Sequence, residues 1–432
     1  TSRREHCVYP APSPTLLSSP PSTALGWDCK MSESQLEIEY RKQCSLLDVA
    51  PNEFVVASLL TYSPVLNLRG SQKELFRTRL TDMEAIAIAN TVQHAKHIES
   101  LDLSYNAITD TACEILGSLC VASKSMTKLS LAGNRITAEG AKLFSQGMKR
   151  SSLLTSLDLS ENSLGKEGCV SVLDGITHSG FKDKLSVLRM ANTGVTEDAI
   201  IRLSMLLKDH TPIRVLDLSK PSLRAECAFA CDKLCAGLRC NTTLEVLVMS
   251  SFGLDDDGFD AILSACPNTL THLNISGNRL SFSAAEAIAR QIRRDSLPRL
   301  RTLVLDGIRV KNQGINALAP VLLKHKPVDA DGKKTQLRLS LRRCTLGGQG
   351  LTTLALLCKH NTAITGLAVE GSHLVPESIG DQHWDPQTTW EQTLKDRNSF
   401  DEALQCDFGL SRNSAGDLKL FFADYPDFSE PK

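Results

Sequence analysis

The chain has 432 residues, of which 42% are hydrophobic and 22% charged, so it is too apolar to be wholly disordered. Its 48 basic and 49 acidic residues give a net charge of −1. No apolar run approaches the ~20 residues of a membrane span. The 14 cysteines form neither a CxxC pair nor a disulfide framework, so we expect a soluble protein of a reducing, intracellular compartment.

The first two segments differ from the rest of the chain. Residues 1–31 are rich in proline and serine and lack apolar periodicity, so we expect them to be disordered or to lie outside the native reading frame. In residues 32–64, Leu36, Tyr40 and Cys44 recur at helical spacing. This pattern predicts a helical cap over the first unit of the structure that follows.

Residues 65–97 begin with a pair of leucines, Leu66 and Leu68, whose alternation is typical of a short strand. The segment from 70 to 80 is longer than its counterpart in the units that follow. We therefore expect a degenerate repeat with an extended, protruding loop.

Residues 98–380 repeat one pattern ten times. Each unit reads L-x-x-L-x-L, followed by a turn and an apolar stretch at helical spacing, and it resembles the long, ribonuclease-inhibitor-like variety of leucine-rich repeat. The expected fold is therefore α/β, a horseshoe-shaped solenoid with a parallel β-sheet on the concave side and α-helices on the convex side. We number the units repeats 1 to 10 by their central leucines, which are Leu101, Leu129, Leu157, Leu188, Leu216, Leu247, Leu273, Leu303, Leu339 and Leu367.

Two positions of the unit suggest structural roles. An asparagine follows the strand at Asn106, Asn134, Asn162 and Asn278, where its amide could bond backbone groups of neighbouring repeats. Early in each helix one position is always small, for example Gly140. We infer that the helix lies close to the strand layer at that point.

Several less general features resemble the leucine-rich repeat-containing protein 34 family over residues 33–375. The resemblance implies a non-enzymatic intracellular protein that acts through partners, in a ciliary or axonemal or in a nucleolar setting, and it supplies no catalytic residues. It does not extend to the C-terminal tail. The matching features are Leu36-x3-Tyr40-x3-Cys44, Asn52-x-Phe54, Leu66-Asn67-Leu68-x-Gly70 and Lys220-Pro221-x-Leu223.

Residues 381–432 are predicted to form an acidic C-terminal cap and tail. From residue 376 onwards there are 12 acidic and 5 basic residues, a net charge of −7. Trp384 and Trp390 are large apolar side chains that could cover the last repeat, which a solenoid otherwise leaves exposed.

The main candidate binding site is basic. Residues 290–343 hold 14 Lys and Arg against 4 Asp and Glu, a net charge of +10. We expect a protein partner with an acidic surface, or the acidic tail itself, to bind there, although a merely solvated basic face would show the same pattern. The stretch contains no aromatic residue, which disfavours nucleic acid. The candidate residues are Arg301, Lys333, Lys334, Arg338, Arg342 and Arg343.

A second candidate is acidic. Asp102, Asp158 and Asp217 occupy the same strand position in repeats 1, 3 and 5, which predicts a row of carboxylates on the concave face. Such a row could recognise a partner, or it could be an ordinary solvated strand face.

Other chemistry is less well supported. Cys227, Cys231 and Cys235 share one helix face and could bind zinc, but they fall at small or inward-facing positions, which favours core packing. Residues 329–335 resemble the end of a phosphate-binding loop but lack its first glycine and its strand. We therefore expect no metal, no cofactor and no small-molecule substrate.

The sequence thus predicts a non-catalytic protein-interaction scaffold. The alternative is a regulator of a small GTPase, since activators of the Ran type share this architecture, with Asn134 and Arg135 as candidate residues. A third possibility, an enzyme inhibitor, should show many aromatic residues on the concave rim, but only Tyr105 and Phe252 are candidates.

Overall fold

The computed structural model describes residues 33–369, except 149–152, 180, 210, 224–226 and 362, together with 410–412 and 418–420. The predictions for residues 1–31 and for a lid at Trp384 and Trp390 lie outside these residues. The division of the chain into five units stays a prediction.

One parallel sheet runs through all the repeats. Its eleven strands lie in chain order. Leu66 and the ten central leucines are Cα partners from one strand to the next, and all of them are buried. This register confirms the predicted α/β leucine-rich-repeat solenoid. The strands are β1 (Val65–Asn67), β2 (Ser100–Asp102), β3 (Lys128–Ser130), β4 (Ser156–Asp158), β5 (Val187–Arg189), β6 (Val215–Asp217), β7 (Val246–Val248), β8 (His272–Asn274), β9 (Thr302–Val304), β10 (Leu337–Ser340) and β11 (Ile364–Ala368).

A helix connects each strand to the next, as parallel pairing requires. The buried faces of these helices and the sheet leucines form one continuous apolar core. The helices are α1 (Glu33–Leu46), α2 (Glu53–Leu59), α3 (Asp82–Val92), α4 (Cys113–Ala122), α5 (Ala138–Gly147), α6 (Gly165–Thr177), α7 (Glu197–Lys208), α8 (Cys227–Leu238), α9 (Asp256–Ala265), α10 (Phe282–Arg293), α11 (Lys311–Leu322) and α12 (Gly348–His360), with a 3-10 turn, Asp110–Ala112, before α4.

The N-terminal helices join the same core. Leu36, Tyr40 and Cys44 of α1 are buried in it. The Asn52 Oδ1 accepts a hydrogen bond from the Phe54 N–H at 3.0 Å, which caps the start of α2. In the loop after β1, Leu75 is fully buried and joins the core.

The turn asparagines form the expected ladder between repeats. The Asn134 Nδ2 donates to the carbonyl oxygens of Leu131 in its own repeat (2.9 Å) and of Leu103 in the preceding one (3.0 Å). Its Oδ1 accepts from the Ile108 N–H at 3.2 Å. In repeat 9 a thiol replaces the amide, and the Cys344 Sγ donates to the Leu305 carbonyl at 3.1 Å.

A second ladder, which the sequence analysis missed, ties the helix starts together. Asp110 accepts from the backbone N–H and the hydroxyl of Thr137 at 2.7 and 2.6 Å. The Asp82–Thr109 and Asp256–Ser281 pairs make the same two bonds. Each carboxylate therefore fixes the start of the next helix.

The prediction that the small helix position faces the strand layer is wrong. A Cβ added to Gly140 would lie 2.9 Å from the Asp110 Cα, and one added to Gly168 would lie 3.0 Å from the Ala138 Cα. Both neighbours belong to the start of the preceding helix. The small residue thus allows consecutive helices, and not helix and sheet, to approach closely.

Two further elements complete the description. β12 (Leu410–Arg412) pairs with β13 (Leu418–Leu420) as an antiparallel hairpin outside the main sheet. None of the described helices is long and apolar enough to cross a membrane.

Candidate partner-binding surface

The sheet register aligns the residues on either side of each central leucine in two rows across the concave face. The row before the leucine is Ser100, Lys128, Ser156, Val187, Val215, Val246, His272, Thr302 and Arg338. The row after it is Asp102, Ser130, Asp158, Arg189, Asp217, Val248, Asn274, Val304 and Ser340. Along the solenoid the face thus changes from mixed charge, with Asp102, Asp158 and Asp217 beside Lys128 and Arg189, through valines to Arg338.

The acidic residues lie in the predicted row, but their carboxylates also serve the fold. In Asp102, Asp158 and Asp217 the Oδ1 accepts a hydrogen bond from the backbone N–H two residues later, at 2.9, 3.0 and 2.9 Å. Burial raises the pKa of Asp158 and of Asp217. Arg189 lies between these two aspartates in the row. The carboxylates are therefore partly satisfied within the chain.

The middle of the concave face is apolar, which the sequence analysis did not predict. Val187, Val215, Val246 and Val248 form a second buried cluster, separate from the main core. The signal in the sequence is a valine directly before the central leucine in three consecutive repeats, where repeats 1 and 3 have serine.

The basic end of the face is built around Arg338. By register Arg338 lies next to Thr302, and Thr302 lies next to His272. Burial, together with the charges of Arg301 and Arg338, lowers the pKa of His272 to about 4. His272 is therefore neutral at pH 7, and the arginines carry the positive charge here.

Arg342 and Arg343 lie in the turn after β10. The Arg342 N–H donates to the Asp306 Oδ1 at 2.9 Å, which holds the turn against repeat 8. Arg343 is exposed and has a left-handed backbone with φ 53°. Glu161 occupies the same turn position in repeat 3 with φ 56°, so the turn accepts an acid as readily as a base.

Lys333 and Lys334 precede β10 and so lie beyond the other end of this strand from Arg342 and Arg343. Both are exposed, in a turn whose backbone N–H groups at Asp331 and Lys333 donate to the Asp329 Oδ1 at 2.9 and 2.8 Å. These bonds, led by the one from Lys333, lower the pKa of Asp329. The amides that a phosphate would need are thus bound to a carboxylate. The six predicted bases therefore lie partly on the concave face and partly beyond the two ends of its strands.

Ion pairs are more frequent among the basic residues of repeats 2–6 than among those of residues 290–343. In repeats 2–6 six bases pair with a carboxylate of the described chain, whereas Arg135, Lys184, Lys208, Lys220 and Arg239 do not. Basic residues of repeats 2–6 form the pairs Lys142–Glu139, Lys166–Asp198, Lys182–Asp209, Arg202–Asp174, Arg214–Glu245 and Lys233–Asp232. In residues 290–343, Arg290 pairs with Asp260. Twelve other bases there have no carboxylate of the described chain within ion-pair distance, and we call them the basic surface: Arg293, Arg294, Arg299, Arg301, Arg309, Lys311, Lys324, Lys326, Lys333, Lys334, Arg338 and Arg343.

The candidate residues for a GTPase regulator and for an enzyme inhibitor are mostly engaged within the chain. Asn134 is buried and its amide belongs to the turn ladder, whereas Arg135 is exposed. Phe252 is buried and is not a rim aromatic. Tyr105 lies under the Arg69 guanidinium, 4.6 Å from ring centroid to Cζ.

The cysteine cluster is a pair of neighbouring thiols on a packed helix. The Sγ atoms of Cys227 and Cys231 are 3.8 Å apart. Cys231 and Cys235 are buried and Cys227 is half-buried. The hydrogen bond from Cys231 lowers the pKa of Cys227. Across the residues that the structure describes, no group of three or more His, Cys, Asp and Glu residues could hold a metal ion.

The fold and the repeat pattern define a protein that contains leucine-rich repeats. A family model described as "Leucine Rich repeat" matches residues 94–116, 122–145, 150–173 and 266–289. These segments correspond to repeats 1, 2, 3 and 7. No curated protein sequence matches the chain.

The chain is similar to three solved structures at low sequence identity. A chain of the Rad7 and Elc1 complex in yeast is 15% identical, with 81% of this chain and 91% of that chain covered and a TM-score of 0.46. An internalin from Listeria monocytogenes is 13% identical, with 85% and 97% covered and a TM-score of 0.39. Human 5T4 is 16% identical, with 59% and 82% covered and a TM-score of 0.36.

Proposed function

We propose that this protein is a non-catalytic interaction scaffold and that its basic surface binds an acidic surface of a protein partner. The observation that supports this most is the lack of carboxylate partners for twelve of the 14 bases in residues 290–343, among the residues described. Uncompensated like charges on one part of a surface repel one another, and an acidic partner would relieve that repulsion.

A charge-reversal variant tests the proposal. Lys333→Glu, Arg338→Glu and Arg343→Glu together reverse three residues that lie outside the apolar core, and the turn at 343 accepts glutamate as it does at Glu161. The matched control reverses three paired bases of the earlier repeats, Lys142, Lys166 and Arg202, and so changes the net charge equally.

The readout is quantitative co-purification from native cells at two salt concentrations. We expect the basic-surface variant to lose its partners at least tenfold relative to the control, and wild-type capture to weaken with salt. Equal capture by both variants would contradict the proposal. In that case the row of Asp102, Asp158 and Asp217 becomes the better candidate surface.

The setting and the alternative function are also proposals. The resemblance to the leucine-rich repeat-containing protein 34 family suggests a ciliary or axonemal or a nucleolar assembly, which imaging of the tagged protein would test. Regulation of a small GTPase now depends on Arg135, because the Asn134 amide is engaged in the turn. Stimulated GTP hydrolysis that is lost in Arg135→Ala would favour this alternative.

A further inference from the structure

An open cavity of ≈ 700 Å³ lies where α10 and α11 end. Its lining includes the apolar side chains of Ile292, Pro298, Pro320 and Val328. None of these four is fully buried, so each leaves apolar surface accessible to a ligand. A volume in the ~300–1,000 Å³ range is typical of binding pockets. We call this feature the α10–α11 groove.

The walls of the groove are basic. Arg293, Lys324 and Lys326 line it, and all three belong to the basic surface. Among the described lining residues the acidic one is Asp295. His325 adds no charge at neutral pH, since burial lowers its pKa more than the hydrogen bond of its ring to the Leu300 carbonyl oxygen, 3.1 Å from Nε2, raises it. The groove thus combines an apolar lining with excess positive charge.

Stabilisation of helix ends does not explain these cations. A base in the last turn of a helix interacts favourably with the helix dipole, by typically ~0.3–1 kcal/mol. However, the described helices α4, α5, α6, α9 and α11 end without a base in the last turn, whereas α7, α10 and α12 have one. Of the three groove bases, Arg293 lies in a last turn, and Lys324 and Lys326 lie beyond the end of α11. The solenoid therefore does not require basic helix ends, so the charges of Arg293, Lys324 and Lys326 are available to a ligand.

The end of the chain carries a complementary pattern. Residues 421–430 read FFADYPDFSE and lie outside the described residues. An aromatic residue occurs at every third position. An acidic residue also occurs at every third position, each one two residues after an aromatic residue. Three residues per turn is the period of the polyproline II conformation, which would place each set on its own face. The residues are Phe422, Tyr425 and Phe428 in the first set and Asp424, Asp427 and Glu430 in the second.

We propose that the α10–α11 groove binds residues 421–430 of the same chain. The aromatic side chains contact the apolar lining, and the carboxylates pair with Arg293, Lys324 and Lys326. Reach is sufficient even though β12 and β13 pair with each other, since the 41 residues 369–409 precede them and each can span ~3.3 Å, whereas neighbouring helices lie ~8–10 Å apart. The inference deepens the proposed function, because the segment then competes with an acidic partner for part of the basic surface.

A synthetic peptide tests this in the full-length chain. Fluorescein-labelled peptide 419–432 is titrated with wild type and with a tail variant in which Phe421, Phe422, Tyr425 and Phe428 are alanine, and anisotropy is recorded. Since a tethered segment acts at roughly millimolar effective concentration, we expect the tail variant to bind the peptide at least tenfold tighter than wild type. Adding Arg293→Glu and Lys324→Glu to the tail variant should reduce its affinity at least tenfold. Lys142→Glu and Arg202→Glu serve as the matched control.

Each other outcome overturns the proposal. Equal binding by wild type and tail variant would show that the groove is free for a partner's acidic peptide, and no binding would remove the groove as a site. Concentration-dependent dimers lost in the tail variant would assign it to a second copy. If the groove variant unfolds, hydrogen exchange decides, since residues 290–298 and 320–328 should exchange faster in the tail variant than in wild type. Because the readout is a peptide of this chain, it can fail while capture of a cellular partner persists.

Discussion

Repeats 1–6 and repeats 7–9 have the same backbone but balance their charges differently. In both regions the central leucines stay in register, and one core runs through them. In the first region, bases such as Lys166 and Arg214 pair with carboxylates of a neighbouring repeat. In the second, most bases have no carboxylate partner in the described chain. Since the fold forms equally in both, charge in repeats 7–9 is free to serve binding.

The largest effect should come from breaking the hydrogen-bond ladder of the first region. In Asn162→Ala the Leu159 carbonyl and the Ile136 N–H lose their side-chain partner. Two buried groups without partners cost about 3 kcal/mol. Cys344→Ala in repeat 9, where a thiol makes a weaker bond, should cost about half as much. Urea unfolding measures both, and equal losses would show that the ladder does not distinguish the regions.

The next largest effect is pH dependence in the second region. The pKa of His272 is about 4 in the folded chain, against 6.5 ordinarily. The neutral form therefore favours folding above pH 6.5, and this stability is lost as the pH falls towards 4. His272→Gln should remove up to about 3 kcal/mol of that loss, because one pKa unit corresponds to 1.36 kcal/mol. His178→Gln, an exposed substitution, controls for the loss of a histidine. A pH profile of stability unchanged by His272→Gln would contradict the assignment.

A smaller effect compares one paired base with one unpaired base. Arg214 donates from Nε and Nη2 to the Glu245 Oε1 at 2.9 and 2.6 Å, so Arg214→Gln should destabilise the chain by up to ~1 kcal/mol. Arg338→Gln relieves repulsion with Arg301 and should leave stability unchanged or raise it slightly. Thermal unfolding of the two variants should give midpoint shifts of opposite sign or of clearly different size. Two equal decreases would contradict the division of the bases.

The smallest effect concerns the thiols of repeat 5. The hydrogen bond from Cys231 lowers the pKa of Cys227, so iodoacetamide should modify Cys227 at lower pH than it does in Cys231→Ala. Cys120, which burial gives a pKa of about 12, serves as an unreactive internal reference. Peptide mass spectrometry reads out each site. An identical pH profile for Cys227 in both proteins would show that the thiol pair has no influence.

The sequence predicts the fold almost completely, because the same pattern of apolar and turn residues occurs in each of the ten repeats. The central leucines, the turn asparagines and the helical spacing of Leu36, Tyr40 and Cys44 each correspond to one structural position. The contacts of Gly140 were not predictable, since a small residue indicates a close approach but not which element approaches. The Asp110–Thr137 bonds join positions in different repeats that local patterns do not connect.

The candidate site was predicted less well for a related reason. A net charge can be counted along the chain, but ion pairing depends on which side chains meet across repeats. The sequence analysis grouped Lys333 with Arg343. The two residues lie beyond opposite ends of strand β10, which separates them in the structure. The neutral state of His272 follows from burial beside Arg301 and Arg338, which become neighbours only once the strands are in register.

Carbodiimide coupling in the native complex tests the central claim most directly. This reagent joins a lysine amine to a carboxylate in contact with it, so it reports which lysines touch an acidic partner. We expect intermolecular links from Lys324, Lys326, Lys333 and Lys334, which are exposed and have no carboxylate partner in the described chain. Links from Lys142 and Lys166 in the earlier repeats, with none from these four, would contradict the account.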